Sequence, residues 1–171
     1  MNFFITTPPH TEVELSHKQH HHAKVRRIKK GEVVSFLNGQ GDIYKAVVQS
    51  IDHKKTICNI DAHTKVPRPP TRTLYIALCR SQTMEEICQK AVEIGITHIT
   101  PVVCEFVGGQ VSLSTWHKKE ARLLDIMKAA VCQSGNPFLP ELLAPISFKE
   151  CLKQGVVVAD LTDDTQPYPG G

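Results

Sequence analysis

Residues 73–103 read TLYIALCRSQTMEEICQKAVEIGITHITPVV, and this stretch decides the fold. Thr73 to Cys79 is a mostly apolar run of strand length. Thr83-Met84-Glu85-Glu86 follows as a capping box, which opens a helix. Met84, Ile87, Ala91 and Ile94 recur at helical spacing and define one apolar face. Gly95 supplies the left-handed residue that ends a helix, and Ile96 to Val103 is the next strand. Strands that are apolar on both faces belong to parallel sheets covered by helices. The unit is therefore β–α–β with a right-handed crossover.

The pattern continues toward the C-terminus. Trp116 to Ser134 predicts a long helix with Leu123, Ile126, Met127, Ala130 and Val131 as its buried stripe, ended by Gly135. Ser147-Phe148-Lys149-Glu150 is a second capping box, for a short helix ended by Gly155. Val156 to Asp160 is an apolar strand running into an acid. Alternating strands and helices of this kind make an α/β layer.

Toward the N-terminus the pattern changes, and residues 1–70 are expected to be all-β. Glu32 to Leu37, Ile43 to Gln49 and Lys55 to Ile60 are rich in Val, Ile, Phe and Tyr. Asn38-Gly39-Gln40-Gly41 joins the first two as a hairpin turn. Short strands in so few residues close best as a small barrel. Lys65-Val66-Pro67-Arg68-Pro69-Pro70 denies backbone donors and favours an extended connector. Two domains are expected, 1–70 and 73–171.

Charge divides at the same place. The chain of 171 residues has a net charge of +3, yet residues 1–72 hold 12 of its 20 Lys and Arg and only 6 of its 17 Asp and Glu. A basic module beside a mildly acidic one points to a polyanion held next to a working domain. The charge is densest at Lys24-Val25-Arg26-Arg27-Ile28-Lys29-Lys30, with five cations in seven positions. Backbone phosphates are the natural counterpart, because each neutralised phosphate releases a counterion. A solvated, charged edge strand is the plain structural alternative. His20-His21-His22 is not expected to hold a metal, since contiguous side chains on a strand point to opposite faces.

No apolar run approaches the roughly 20 residues of a membrane span, and Met1 to Pro9 shows no secretory signal pattern. The six cysteines, without a C-x-x-C pair, are expected to be reduced thiols of a cytoplasmic protein. Cys79 and Cys104 end successive strands, where open α/β sheets place ligands, and are expected to be structural. G-x-G-x-x-G, P-loop, H-E-x-x-H and G-x-S-x-G motifs are absent. Residue patterns alone thus yield a basic β module and an α/β domain, without a reaction.

A set of short motifs adds to this. His21-His22-Ala23-Lys24-Val25-Arg26-Arg27-Ile28-Lys29-Lys30-Gly31 resembles the "HH..VLR...G" signature of the RsmE family of 16S rRNA uridine N3 methyltransferases. Asn38 to Gly41, Gln89 to Ile96, Ile99-Thr100-Pro101 and Gln133-Ser134-Gly135 resemble further motifs of that family, in order. The resemblance implies an α+β two-domain chain. A PUA-like β-barrel that grips 16S rRNA of the small ribosomal subunit would precede a SPOUT-type α/β domain with a trefoil knot. That second domain would bind S-adenosylmethionine and dimerise, with no need of a metal or a membrane. It implies His21, His22, Lys24, Arg26, Arg27, Lys29 and Lys30 as the RNA-binding set. Glu105 and Gln133 are the catalytic candidates, and Asp160, Leu161 and Thr162 lie where the family's strand meets the adenosine.

This sequence departs from the family pattern at several points. Glu105-Phe106 stands for "E-R", Asn136 replaces the arginine of "QSGR", and Arg80-Ser81-Gln82-Thr83 is shorter than the family's stretch. The family's C-terminal "GPEGG" and "LR-x-E-T-A" segment is absent from the 171 residues, so the methyltransferase domain is expected to be incomplete here. A non-catalytic RNA-binding homologue is the second reading, and an α/β enzyme unrelated to RNA is the third.

Overall fold

The computed structural model describes residues 1–104 and 113–155. Two sheets organise them. The first has the order β1-β3-β4-β5-β2, from β1 (Asn2–Phe4), β2 (Glu12–Glu14), β3 (Val33–Leu37), β4 (Asp42–Ile51) and β5 (Thr56–Lys65). Pairing is antiparallel except for β1, which lies parallel to β3. Two register shifts between β4 and β5, at Lys45/Ala46 and Val48/Ser50, curl the sheet. Phe3, Leu15, Ile28, Val34, Phe36, Ala46, Val48 and Cys58 fill its concave side.

The expectation of an all-β first half is wrong at one place. His17–Val25 is a helix, α1, rather than part of a strand. Its start was written in the sequence as a capping box, Ser16-x-x-Gln19, and both reciprocal bonds are made. The argument that His20, His21 and His22 alternate across a strand therefore falls.

The second sheet is parallel. β6 (Thr73–Ala77) pairs with β7 (His98–Val103), which pairs with β8 (Glu141–Leu142) and β9 (Ile146–Ser147). Helix α2 (Ser81–Glu93) crosses over between β6 and β7, and α3 (Leu113–Ser134) packs against α2. Met84, Cys88, Ala91 and Val92 of α2 meet Leu123, Met127, Ala130 and Val131 of α3 in one core with Ile99. The short α4 (Phe148–Leu152) has the predicted box, with the Ser147 amide donating to Glu150 at 2.8 Å and Ser147 Oγ accepting from the Glu150 amide at 3.2 Å. The box predicted at Thr83 does not form. The N-cap lies three residues earlier, at Arg80, which makes no side-chain cap, and the helix begins at Ser81. The expected strand Val156 to Asp160 lies outside the described residues.

The two sheets share a seam. The Gly41 amide donates to Pro137 O at 3.0 Å and the Leu139 amide to Gly39 O at 2.9 Å, so the Asn38–Gly41 turn of the β3–β4 hairpin is hydrogen-bonded to the strand-like segment before β8. The Asn2 side chain donates to Cys132 O at the end of α3 at 2.9 Å. Leu37 of β3 is part of the second core, with Phe4 and Ile43 packed against it. Glycine is required here for room. A Cβ on Gly41 would sit 2.7 Å from Val66 O, and one on Gly39 would sit 2.8 Å from Leu139 Cβ.

Candidate nucleic-acid interface

Helix α1 divides its residues sharply. Its inner face is Ala23 and His20, both buried. His20 Nδ1 lies 2.8 Å from Thr56 Oγ1 of β5, and its Nε2 is buried with no hydrogen-bond partner. Gln19 donates to Phe4 O at 2.9 Å and fastens the same helix to β1. With that face spent on anchoring, His21, His22 and Lys24 are turned to solvent. Adjacent helix positions are splayed by about 100° around the axis, so the histidine run does not converge here either. Among the described residues no three His, Cys, Asp or Glu side chains come together as metal ligands would.

The chain then leaves α1 through a Schellman turn. The Ile28 amide donates to Ala23 O at 3.1 Å and the Arg27 amide to Lys24 O at 2.9 Å. Arg27 takes the left-handed position, φ +55°, that glycine ordinarily holds, and it is the one non-glycine residue in that region among those described. Ile28 inserts into the core of the first sheet, while Arg26, Arg27, Lys29 and Lys30 all stay exposed. No carboxylate lies within ion-pair distance of Lys24, Arg26, Arg27, Lys29 or Lys30 among the described residues. Five uncompensated cations around one helix end form a strongly positive knob.

At the seam the electrostatics run the other way. Asp42, at the start of β4, accepts from Lys65 Nζ at 2.7 Å and from Asn38 Nδ2 at 2.6 Å, and lies 2.9 Å from His63 Nε2. The hydrogen bond from Lys65, then that of His63, holds its carboxyl down at about 2. His63 also stacks on Tyr44, ring centres 4.5 Å apart. These groups satisfy one another, so they stiffen the turn rather than offer themselves to a ligand.

A cleft of about 410 Å³ opens at the far end of the second sheet, where β6 finishes. Leu78, Met84, Trp116 and Leu123 line it, with Lys118, Lys119 and Arg122 along one rim. Arg122 bridges to Glu85 of α2 through two contacts of 3.2 Å. Sequence reasoning missed this site. Its legible signal was Lys118 and Arg122, four apart on the helix face next to the apolar stripe.

Of the catalytic candidates, Gln133 is exposed on the last turn of α3, seventeen residues and therefore about 25 Å of helix from Trp116 in the cleft. Glu105 and the cofactor candidates Asp160, Leu161 and Thr162 lie outside the described residues. Cys79 and Cys104 are half-buried at the strand ends, and burial pushes the Cys58, Cys88 and Cys132 thiols up to about 11, which keeps them protonated and inert.

A curled sheet bearing a basic helix end is thus joined by a hydrogen-bonded seam to a parallel α/β layer. Residues 67–163 match the family model of the RNA methyltransferase domain, and residues 16–61 match that of the RNA methyltransferase PUA domain. The chain belongs to this family of RNA methyltransferases. It is similar to ribosomal RNA small subunit methyltransferase E of Synechocystis sp., 27% identical over 137 residues, which span 79% of this chain and 43% of that protein. It is 26% identical over 152 residues to ribosomal RNA small subunit methyltransferase E of Mesomycoplasma hyopneumoniae, covering 89% of this chain and 65% of that one. The structure of the Neisseria gonorrhoeae protein of the same name, bound to S-adenosyl methionine, superimposes with a TM-score of 0.74 at 24% identity, over 97% of this chain and 66% of that one. The resemblance to the RsmE family holds, and of the fold expected from it the PUA-like unit and the following methyltransferase α/β unit are matched. The chain spans less than two thirds of the length of each of these relatives.

Proposed function

We propose that this chain acts in S-adenosylmethionine-dependent methylation of N3 of a uridine in 16S rRNA of the small ribosomal subunit, with residues 1–70 as the RNA-gripping unit and residues 73–171 as the methyltransferase unit. The observation that carries the reading is the exposed, unpaired cation cluster at the end of α1, held in fixed register to the parallel sheet by the seam. Lys24, Arg26, Arg27, Lys29 and Lys30, with His21 and His22 beside them, grip backbone phosphates and steer the RNA by long-range attraction. The target base has to be unstacked to be reached, so the chain's work is to hold a distorted or single-stranded segment in place.

S-adenosylmethionine, when bound, supplies the electrophilic methyl group, and Asp160, Leu161 and Thr162 belong to its side of the reading. The cleft beside β6 does not fit it: the cofactor carries a net positive charge, and that rim is lysine and arginine. The homodimer implied for the full-length protein is part of the same proposal.

The test is the salt dependence of binding to a 16S rRNA fragment. Replacing Arg26 and Arg27 by Ala should lower the slope of log affinity against log salt by roughly 1.5, since each lost phosphate contact is worth about 0.7–0.9. An unchanged slope defeats the role of α1. Digestion of treated rRNA and mass spectrometry then tests the chemistry, because a methyl group found anywhere but uridine N3 refutes the assignment of the atom.

A further inference from the structure

We infer that the cleft at the C-terminal end of β6 receives one nucleotide of the RNA, its base on the apolar floor and its phosphate on Lys118 and Lys119. This deepens the proposed function, whose RNA substrate it presupposes, and adds a second RNA contact remote from α1.

Three observations support it. The cleft stands where parallel strands end: β6 and β7 run the same way, and Cys79, two residues past β6, follows Leu78 into it. Open α/β sheets take their ligands at that edge. Its volume of about 410 Å³ falls in the range of small-ligand sites, about 300–1,000 Å³, and suits a mononucleotide unit. Its lining is divided. Leu78, Met84 and Leu123 make an apolar floor beside the indole of Trp116, so a flat base can shed water there.

The rim chooses the occupant. Arg122 is engaged by Glu85, which holds the guanidinium across the cleft between α2 and α3. Lys118 and Lys119 have no carboxylate within ion-pair distance among the described residues. Two such ammonium groups repel a sulfonium cofactor of net positive charge and attract a phosphodiester. The apolar floor argues against a bare anion, which would need donors on every side.

Trp116 is the single tryptophan of the chain, so its fluorescence reports this cleft alone. Uridine 5′-monophosphate, uridine and S-adenosylmethionine would each be titrated into the 171-residue protein. The expected result is a saturable change with the monophosphate in the millimolar range and a weaker response to uridine. Lys118→Ala with Lys119→Ala should weaken the monophosphate response about tenfold, as for the loss of two solvent-screened ion contacts. The same double variant should fold normally, since Lys118 is exposed and Lys119 half-buried. No saturable change with the monophosphate overturns the inference. So does equal affinity in the double variant, or a response to S-adenosylmethionine that matches or displaces that of the monophosphate. The salt slope of α1 is measured on a longer RNA and by another signal, so either result can fail alone.

Discussion

Helices α1 and α2 end on the same two backbone bonds but on different residues. In α2 the Gly95 amide reaches Val92 O and the Ile96 amide reaches Ala91 O; in α1 Arg27 and Ile28 make the equivalent bonds to Lys24 O and Ala23 O. The left-handed residue has φ +78° at Gly95 and +55° at Arg27. Glycine reaches that conformation freely, while a residue with a Cβ is disfavoured there by about 1 kcal/mol. α3 and α4 follow α2, with Gly135 at +77° and Gly155 at +62°. Where only chain reversal is needed, glycine stands. At the end of α1 the same reversal carries a guanidinium into solvent, and the strain is tolerated because Ile28 is locked into the core directly after it. Under the proposed function, that strain serves binding rather than stability.

The largest effect expected from this contrast is at the seam, where glycine serves both conformation and room. Gly41→Ala should cost about 3 kcal/mol, because φ is +93° and the new Cβ would press on Val66 O and the Phe138 ring. Chemical denaturation measures this, and a cost below about 1 kcal/mol would mean the seam gives way easily. Gly95→Ala is the purer case. Its Cβ meets nothing closer than Arg72 Nη1 at 3.8 Å, so the expected loss is conformational alone, about 1 kcal/mol.

Arg27→Gly reverses the sign. It should leave the fold as stable or about 0.5 kcal/mol more so, while RNA affinity falls by the loss of one phosphate contact. A variant that loses stability and keeps its RNA would dissolve the distinction between the two helix ends.

The smallest effect is that of pH on the Asp42 cluster. The folded value of about 2 lies below the ordinary 3.8, so the unfolded chain takes up its proton first. The stabilisation is therefore complete above about pH 4 and is lost as pH falls toward 2. Asp42→Asn should flatten acid unfolding in that window and leave stability at pH 7 lower than in the parent. A parent and variant with the same acid profile would show that the ion pairs of Lys65 and His63 with this carboxyl are idle.

Much of this architecture was legible because local rules and tertiary context agreed. The β–α–β unit of residues 73–103 declared itself through its strand–helix–strand order and Gly95, and the box at Ser147 formed as read. The expected helix face was half wrong: Met84 and Ala91 are buried with Cys88 and Val92, whereas Ile87 is half-buried and Ile94 exposed beside the turn at Gly95. The box at Thr83 did not, because the backbone turned helical at Ser81 before Thr83 could cap it. Helix α1 was misread since its residues, HKQHHHAKV, carry almost no apolar periodicity; only the Ser16-x-x-Gln19 spacing marked it, and burial of His20 and Ala23 against the first sheet completes it. The exposed cations needed no fold to be noticed. The cleft beside β6 did, because its walls come from positions 78 and 116–123, which nothing in the linear order joins.

What the chain order determined by itself was therefore periodicity, turn chemistry and charge density, each a property of neighbours within a few residues. What only the tertiary structure decided was contact between distant segments: β1 lying parallel to β3, Gly41 bonded to Pro137, and Lys118 brought over the end of β6. The physical reason is range. Propensity and capping act over one helical turn, whereas burial is settled by whichever remote apolar surfaces exclude water together.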